Sequence, residues 1–311
     1  MEFLSHIGLF ALEAITIVIA LLLLAAGLVS IGRKEKTHLD ITSLNQHATD
    51  THHQMQKAIL GKVKKIKTDK KQKKSTTYVI DFHGDIKASQ VDQLREEISA
   101  ILSIAQKNDE VIIRLESPGG SVNGYGLAAS QLQRLRDHHL QLTVCIDKVA
   151  ASGGYLMACV AHQIIAAPFA IIGSIGVVAQ LPNFHRWLQK HAIDMELLTA
   201  GEYKRTLTLF GENTTKGRQK FQADLEEIHA NFRRYVAQNR QQLDMDRVAT
   251  GEHWLAHDAR ELGLVDILQT SDDYINRQIS SKNVFKIKIQ AKQTLLTKLL
   301  NPVTRLLHPF A

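Results

Sequence analysis

The chain has 311 residues, of which 44% are hydrophobic and 22% charged, a composition that excludes a wholly disordered or fibrous protein. Its formal net charge of +7 is concentrated between residues 31 and 77, where 12 Lys and Arg residues stand against 4 Asp and Glu. The two cysteines, Cys145 and Cys159, lie in apolar runs, and no C-x-x-C pair or Cys/His cluster is present. This pattern favours reduced core thiols over a disulfide or a metal site.

The N-terminal segment, residues 1–32, predicts a membrane anchor. Ile7 to Ile31 contains a single charge, Glu13, and residues 14–31 contain none. A helix that rises about 1.5 Å per residue over this length crosses a hydrocarbon core of about 30 Å. A cleaved signal peptide is the alternative, but it would begin with a positive region, and no Lys or Arg precedes Arg33. The basic residues directly after the helix place the bulk of the chain in the cytoplasm by the positive-inside rule.

A basic linker is predicted at residues 33–76, where Lys, Gln, Thr and His are abundant and eight lysines fall between Lys62 and Lys74. Such a stretch is typical of a solvated linker that is disordered or helical in part. The functional alternative is adhesion to anionic lipid headgroups beside the anchor. No nucleic-acid partner is predicted, because no aromatic residues are interleaved with the lysines for base stacking.

From residue 77 onward, short apolar runs alternate with segments of helical periodicity, as in the spacing of Leu94, Ile98 and Ile101. Strands are predicted at 78–82, 111–115, 142–146 and 164–167, and helices at 88–105, 125–137, 150–160, 183–190 and 216–242. Strands that alternate with helices at this spacing predict an α/β domain with a parallel sheet. We place this domain at residues 77–280.

Two glycine-rich turns of the predicted domain carry residues suited to acyl transfer. Ser152 lies in Ala-Ser-Gly-Gly-Tyr, between an apolar strand and a helix. Small neighbours leave its hydroxyl uncovered, and the free N–H groups at the start of the helix favour a developing anion. The second turn, Ser-Pro-Gly-Gly-Ser at 117–121, can point backbone N–H groups toward a carbonyl oxygen. Each pattern alone also suits a plain helix N-cap or a plain turn, and neither matches a phosphate-binding loop.

A serine nucleophile needs a base, and histidine and lysine side chains are the candidates. No spacing singles out any of the five histidines near element ends, which are His83, His138, His139, His162 and His185. Lys204, in Gly-Glu-Tyr-Lys after an apolar run, is the lysine candidate. It would have to lie in an apolar pocket to lose its proton near neutral pH. On local pattern alone it is a surface lysine.

Four motifs follow one another along the domain. They are Ser-Pro-Gly-Gly-Ser (117–121), Val-Ala-Ala-Ser-Gly-Gly-Tyr (149–155), Gly-Ser-Ile-Gly-Val (173–177) and Gly-Glu-Tyr-Lys (201–204). In this order and spacing they resemble the signal peptide peptidase A family of serine proteases, peptidase family S49. The Asp-Phe-His-Gly-Asp-Ile-Lys-Ala run at 81–88, with the anchor and basic linker before it, is most similar to the SohB branch of that family. The resemblance covers about residues 77–275.

The resemblance implies a ClpP/crotonase-like fold of repeated β-β-α units around a mostly parallel sheet, preceded by one transmembrane helix. It implies no cofactor and no metal. The implied nucleophile is Ser152 and the implied general base is Lys204, with Ser174 as the residue that orients the lysine. The backbone N–H groups of Gly119 and Gly153 would form the oxyanion hole, and Gly120 could substitute for Gly119.

The function implied by the resemblance is that of a serine endopeptidase held in the bacterial inner membrane by a single span. Its substrates would be peptides such as signal-peptide remnants or misfolded membrane proteins. Its other partners would be membrane lipid and further copies of the chain, because single-domain members assemble as rings in which serine and lysine can come from neighbouring chains. The side of the membrane stays open, since relatives that clear signal peptides are often drawn on the outer face. The alternative is a non-proteolytic protein of the same fold, either an acyl-CoA enzyme or a membrane scaffold.

An amphipathic C-terminal tail is predicted at residues 281–311. From Phe285 onward, isoleucines and leucines alternate with lysines. The tail is expected to form an interfacial helix or to pack on a neighbouring subunit.

Overall fold

The structure is a computed structural model that describes residues 16–18, 37–61 and 75–291. The chain divides into two compact units, residues 40–289 on the one hand and residues 1–39 with 290–311 on the other. In the described ranges, none of the helices has both the length and the apolar character needed to cross a membrane. The predicted anchor at 1–32 lies outside the described residues except for 16–18, which are helical.

The centre of the larger unit is a mostly parallel sheet with the order β1-β10-β2-β3-β4-β6-β9. Its strands in chain order are β1 (Thr37–Ser43), β2 (Thr76–His83), β3 (Glu110–Glu116), β4 (Gln141–Ile146), β6 (Gln163–Ala166), β9 (Ile267–Leu268) and β10 (Asn283–Ala291). The pairs from β10 to β9 are all parallel. The inner strands read as nearly continuous apolar runs because both of their faces are covered. The fold is therefore mixed α/β with a parallel sheet, as predicted.

A second, three-stranded sheet carries the predicted nucleophile. It consists of β5 (Val149–Ala151), β7 (Ile171–Gly173) and β8 (His253–Leu255), in the order β5-β7-β8. Strands β5 and β7 are parallel, with Ala151 opposite Gly173. Residues 150 and 151 were predicted as the start of a helix, and this prediction is wrong because their backbone pairs with β7.

Helices cover both faces of the main sheet. In chain order they are α1 (Leu44–Leu60), α2 (Val91–Leu102), α3 (Val122–Asp137), α4 (Gly153–Ala158), α5 (His185–Lys190), α6 (Thr215–Asn239), α7 (Met245–Val248), α8 (Ala256–Glu261) and α9 (Ser271–Ser281). Side chains from α2, α3 and α4 pack on one face of the sheet. On the other face, α9 contributes Ile275 to a smaller cluster with Val79 and Ile112, and Leu44 of α1 packs against it.

Part of the predicted basic linker is folded. Residues 37–60, inside the predicted range of 33–76, form β1 and α1. The amide of Asn45 at the start of α1 donates to the carbonyl oxygens of Ile279 and Lys282, each over 2.9 Å, and accepts the Val284 N–H over 2.7 Å. These bonds tie α1 to the end of α9 and the beginning of β10. The lysine-rich residues 62–74 lie outside the described residues.

The predicted tail begins as a strand. Asn283–Ala291 forms β10, which pairs in parallel with β2 from Asn283 opposite Thr76 to Lys286 opposite Val79. A helix is therefore wrong for residues 285–291. Lysine and isoleucine alternate there with a period of two, which is the period of a strand with one buried face. Residues 292–311 lie outside the described residues.

Candidate active site

Ser152 sits at the turn between β5 and α4 in a backbone conformation that is unusual for a residue with a side chain. Its φ is 51° and its ψ is −118°, a region that costs free energy and is retained where the surrounding structure enforces it. The Ser152 N–H donates to the Gly173 carbonyl oxygen over 2.8 Å, and the Ser152 carbonyl accepts the Leu156 N–H over 3.0 Å. The hydroxyl does not cap α4, and it has no hydrogen-bond partner among the described residues. The side chain is half-buried.

Ser174 occupies the equivalent position on the neighbouring strand. Since Ala151 pairs with Gly173 in parallel register, Ser152 and Ser174 are the next residues along two strands that lie about 4.8 Å apart. Ser174 also has a positive φ of 51°, and its N–H donates to the Glu252 carbonyl oxygen over 2.6 Å. The fold therefore brings these two predicted site residues together.

The Gly119–Gly120 turn packs directly against the Ser152 backbone. Gly119 has a φ of 93°, and a Cβ built on it would lie 2.7 Å from the Ser152 Cβ and 2.9 Å from the Gly153 nitrogen. The Gly119 N–H, however, is buried and donates to Ser117 Oγ over 3.1 Å. Gly120 is an exposed residue, and its N–H has no hydrogen-bond partner among the described residues. Of the two glycines considered for the oxyanion hole, Gly120 is thus the one with an available donor.

Gly153 follows Ser152 at the start of α4, where it faces the Gly119–Gly120 turn. Its N–H is one of the first amides of the helix, which lack an intrahelical acceptor. A Cβ at this position would lie 2.4 Å from Tyr125 Cγ, so the ring of Tyr125 occupies the space that any side chain would need. Absence of a side chain is what allows the turn after Ser152 to form here.

Lys204 lies on an extension, residues 177–214, between β7 and α6. It is exposed, and its N–H donates to the Gly201 carbonyl oxygen over 3.2 Å. Its neighbours face α6, since Glu202 accepts a hydrogen bond from Lys216 and the Tyr203 ring lies 5.7 Å from Lys220 Nζ. Among the described residues, no hydrogen bond joins Lys204 to Ser152 or Ser174. Because Lys204 is exposed, no apolar pocket encloses it among the described residues.

Comparison with known proteins identifies the family. The model of peptidase family S49 matches residues 134–284, and the model of its N-terminal region matches residues 2–132. The chain belongs to peptidase family S49. It is 57% identical over 237 residues to a probable protease SohB of Haemophilus influenzae, covering 76% of this chain and 67% of the relative. It is 47% identical over 302 residues to a probable protease SohB of Buchnera aphidicola subsp. Schlechtendalia chinensis, covering 88% of this chain and 99% of the relative.

Among solved structures, this S49 peptidase is similar to a mutant of the 1510-N membrane-bound stomatin-specific protease in complex with a substrate peptide. The two share 15% sequence identity with a TM-score of 0.43, over 75% of this chain and 99% of the other. The predicted resemblance to the S49 family and to its SohB branch is confirmed by the sequence relatives.

Two histidines of the described residues hold structural positions. His162 Nδ1 accepts the Leu142 N–H over 3.0 Å, and burial lowers the pKa of its imidazole. His229 of α6 lies with Nε2 3.1 Å from the Ile175 carbonyl oxygen. A carbonyl only accepts, so this Nε2 carries the proton and links α6 to the loop after Ser174. In the described part of the chain, no group of three or more His, Cys, Asp or Glu side chains is arranged to hold a metal ion.

Replacing Gly153 with alanine is expected to reduce both stability and activity, because the new methyl group would displace the buried Tyr125 ring. We expect a loss of about 1–3 kcal/mol in the free energy of unfolding and a parallel loss of peptide hydrolysis. Gly126, on the same helix as Tyr125, is the matched control, since nothing lies within 4 Å of a Cβ built on it. Gly126→Ala should stabilise α3 by about 0.5–1 kcal/mol. Equal melting temperatures for the two variants would contradict the packing described here.

Proposed function

We propose that this S49 peptidase is a membrane-anchored serine endopeptidase with Ser152 as nucleophile and Lys204 as general base. The observation that carries the proposal is the conformation of Ser152, which is held at positive φ with an uncommitted hydroxyl beside the Gly119–Gly120 turn. A strained strand-to-helix turn is the usual way in which a serine hydroxyl is presented to an acyl group.

The reaction begins when neutral Lys204 takes the proton of the Ser152 hydroxyl as the oxygen attacks a peptide carbonyl. The carbonyl π electrons move to the oxygen, and the N–H groups of Gly120 and Gly153 stabilise the resulting oxyanion. Lys204 then gives its proton to the leaving amine, and the C–N bond breaks. Water attacks the acyl-enzyme by the same route and restores Ser152. In this scheme the hydroxyl of Ser174 orients the lysine amine.

We further propose that the base of each site comes from a second copy of the chain. The extension that carries Lys204 exposes many large apolar side chains, which a monomer would leave in contact with water. They are Val178, Leu181, Phe184, Trp187, Ile193, Met195, Leu197, Leu198, Tyr203, Leu209 and Phe210. Docking of this extension on a neighbouring copy would cover that surface and remove water from Lys204 in one step. Loss of water is what a lysine base requires.

The remaining family expectations complete the proposal. The fold would be of the ClpP/crotonase type. Residues 1–32 would cross the bacterial inner membrane once. The charge pattern by itself would place the catalytic domain on the cytoplasmic side. Substrates would be apolar peptides, such as signal-peptide remnants or segments of misfolded membrane proteins. The alternative function as an acyl-CoA enzyme would need a carboxylate base and no serine nucleophile.

A fluorophosphonate probe tests the nucleophile directly, because it transfers its phosphonyl group to an activated serine and releases fluoride. The full chain in detergent is expected to carry one adduct, which mass spectrometry of the digested protein should locate on Ser152. Ser130, whose hydroxyl is exposed and bonded to the Gly126 carbonyl oxygen, provides the control variant Ser130→Ala, which should label normally. An adduct on another serine, or unchanged labelling of Ser152→Ala, would refute the assignment.

A further inference from the structure

Tyr125 is fully buried between the two halves of the candidate site. Its ring packs against the Gly153 Cα, as the 2.4 Å distance from Cγ to a built Cβ shows. Its hydroxyl lies 2.5 Å from Ser117 Oγ and 2.8 Å from the Asp85 carbonyl oxygen. One side chain of α3 therefore touches the start of α4, the end of β3 and the loop after β2.

The direction of the hydrogen bonds in this cluster follows from its two ends. The Asp85 carbonyl can only accept, so the Tyr125 hydroxyl donates to it. Ser117 must then donate its own proton to the Tyr125 oxygen, and its oxygen is left to accept the Gly119 N–H over 3.1 Å. The hydrogen bonds therefore form a series with one direction of donation, from Gly119 through Ser117 and Tyr125 to Asp85. Each hydroxyl in the series both donates and accepts.

This series of hydrogen bonds determines how the Gly119–Gly120 turn is oriented. The Gly119 N–H donates inward to Ser117, while the next residue, Gly120, is exposed and its N–H is unpaired within the described residues. The far side of the turn is fixed as well, because the Ser121 N–H donates to the Ile86 carbonyl oxygen over 2.8 Å. A Cβ built on Gly120 would lie 2.2 Å from that same oxygen. The turn is held from both ends, and of its N–H groups that of Gly120 is left without an acceptor in the described part of the chain.

We propose that Tyr125, acting through Ser117, is a positioning residue that aims the Gly120 N–H at the oxyanion of the acyl-transfer reaction. The inference rests on the proposed function of Ser152, and it assigns a role to two residues that do not touch the substrate. Displacement of an oxyanion donor by a fraction of an ångström is enough to reduce transition-state stabilisation. Burial raises the pKa of Tyr125, so the hydroxyl keeps the proton that it donates in this series of hydrogen bonds.

Tyr125→Phe is the decisive variant, because it keeps the ring that packs on Gly153 and removes only the hydroxyl. We expect kcat for an apolar peptide to fall about tenfold with KM unchanged. A peptidyl aldehyde, whose hemiacetal oxygen would occupy the oxyanion position, should bind more weakly by the same factor. Ser117→Ala should reduce kcat further. The variant with both substitutions should be no less active than Ser117→Ala, since the two residues act through the same series of hydrogen bonds.

Tyr274→Phe is the matched control, because the Tyr274 hydroxyl is also hydrogen-bonded, to Glu110 over 2.6 Å, on the other face of the sheet. It should lower the melting temperature without changing kcat or aldehyde affinity. The proposal is overturned if Tyr125→Phe leaves both quantities unchanged, or if its activity falls only in proportion to the folded fraction. Failure of the nucleophile assignment is seen separately, as cleavage by Ser152→Ala at the rate of the unmodified protein.

Discussion

Ser152→Ala and Lys204→Ala should each reduce peptide hydrolysis by about a thousandfold or more, since each removes a group that takes part in bond formation. The assay is cleavage of an unfolded apolar peptide by the full chain in detergent. Neither variant should lose stability, because the Ser152 hydroxyl and the exposed side chain of Lys204 make no hydrogen bond within the described structure. Cleavage at the normal rate by either variant would contradict the proposed Ser–Lys pair.

A mixture of the two variants shows whether serine and lysine come from one chain or from two. If each site combines Ser152 of one copy with Lys204 of the next, random reassembly of equal amounts should restore about a quarter of the activity. Each variant alone should stay inactive under the same treatment. Absence of recovery after demonstrated reassembly would place both residues in the same chain and would require the extension around Lys204 to move.

Asp266→Asn should lower the free energy of unfolding by about 3 kcal/mol, the largest stability loss that we expect from a near-isosteric change. Asp266 accepts two hydrogen bonds from Arg240, over 2.7 and 2.9 Å, and one from the Ile164 N–H over 2.7 Å. Arg240 is only 4% exposed, so neutralising its partner leaves a buried charge without compensation. Its Nε already lacks a partner among the described residues.

Thermal unfolding measures the effect, with an expected decrease of roughly 6–12 °C for a unit of this size. Asp246→Asn is the control, because Asp246 pairs with Arg233 at the surface with its side chain 89% exposed. Ion pairs of that kind contribute little to stability. Equal effects of the two substitutions would show that burial of Arg240 does not determine the strength of its ion pair.

Local pattern was sufficient for the elements that form the core. In β3 and β4, apolar runs of strand length lie between turn residues, and α2 shows helical spacing of Leu94, Ile98 and Ile101. These signals depend on the burial of single elements, which a sequence records directly. The turn at Ser152 was likewise predicted from small residues at the junction of a strand and a helix.

Local pattern failed where partners far apart in the chain determine the structure. β1 and α1 lie in a segment whose lysines and histidines suggested a linker, and α1 is fixed in place by Asn45, which reaches residues more than 230 positions away. β10 had a clear period of two, but its hydrophobic residues were interpreted together with the leucines that follow. The secondary structure of such short or half-buried segments depends on the part of the sheet against which they pack.

The amino-acid sequence by itself determined the family, the parallel α/β core and the identity of the candidate nucleophile, because these depend on motifs and on periodic burial within single elements. Only the tertiary structure decided that the Gly119 amide is occupied and the Gly120 amide is not, that the Tyr125 ring packs against Gly153, and that Lys204 is exposed, with no hydrogen bond to Ser152 among the described residues. The reason is physical: hydrogen-bond direction and side-chain contact depend on where separate segments meet, and one-dimensional spacing does not contain that geometry.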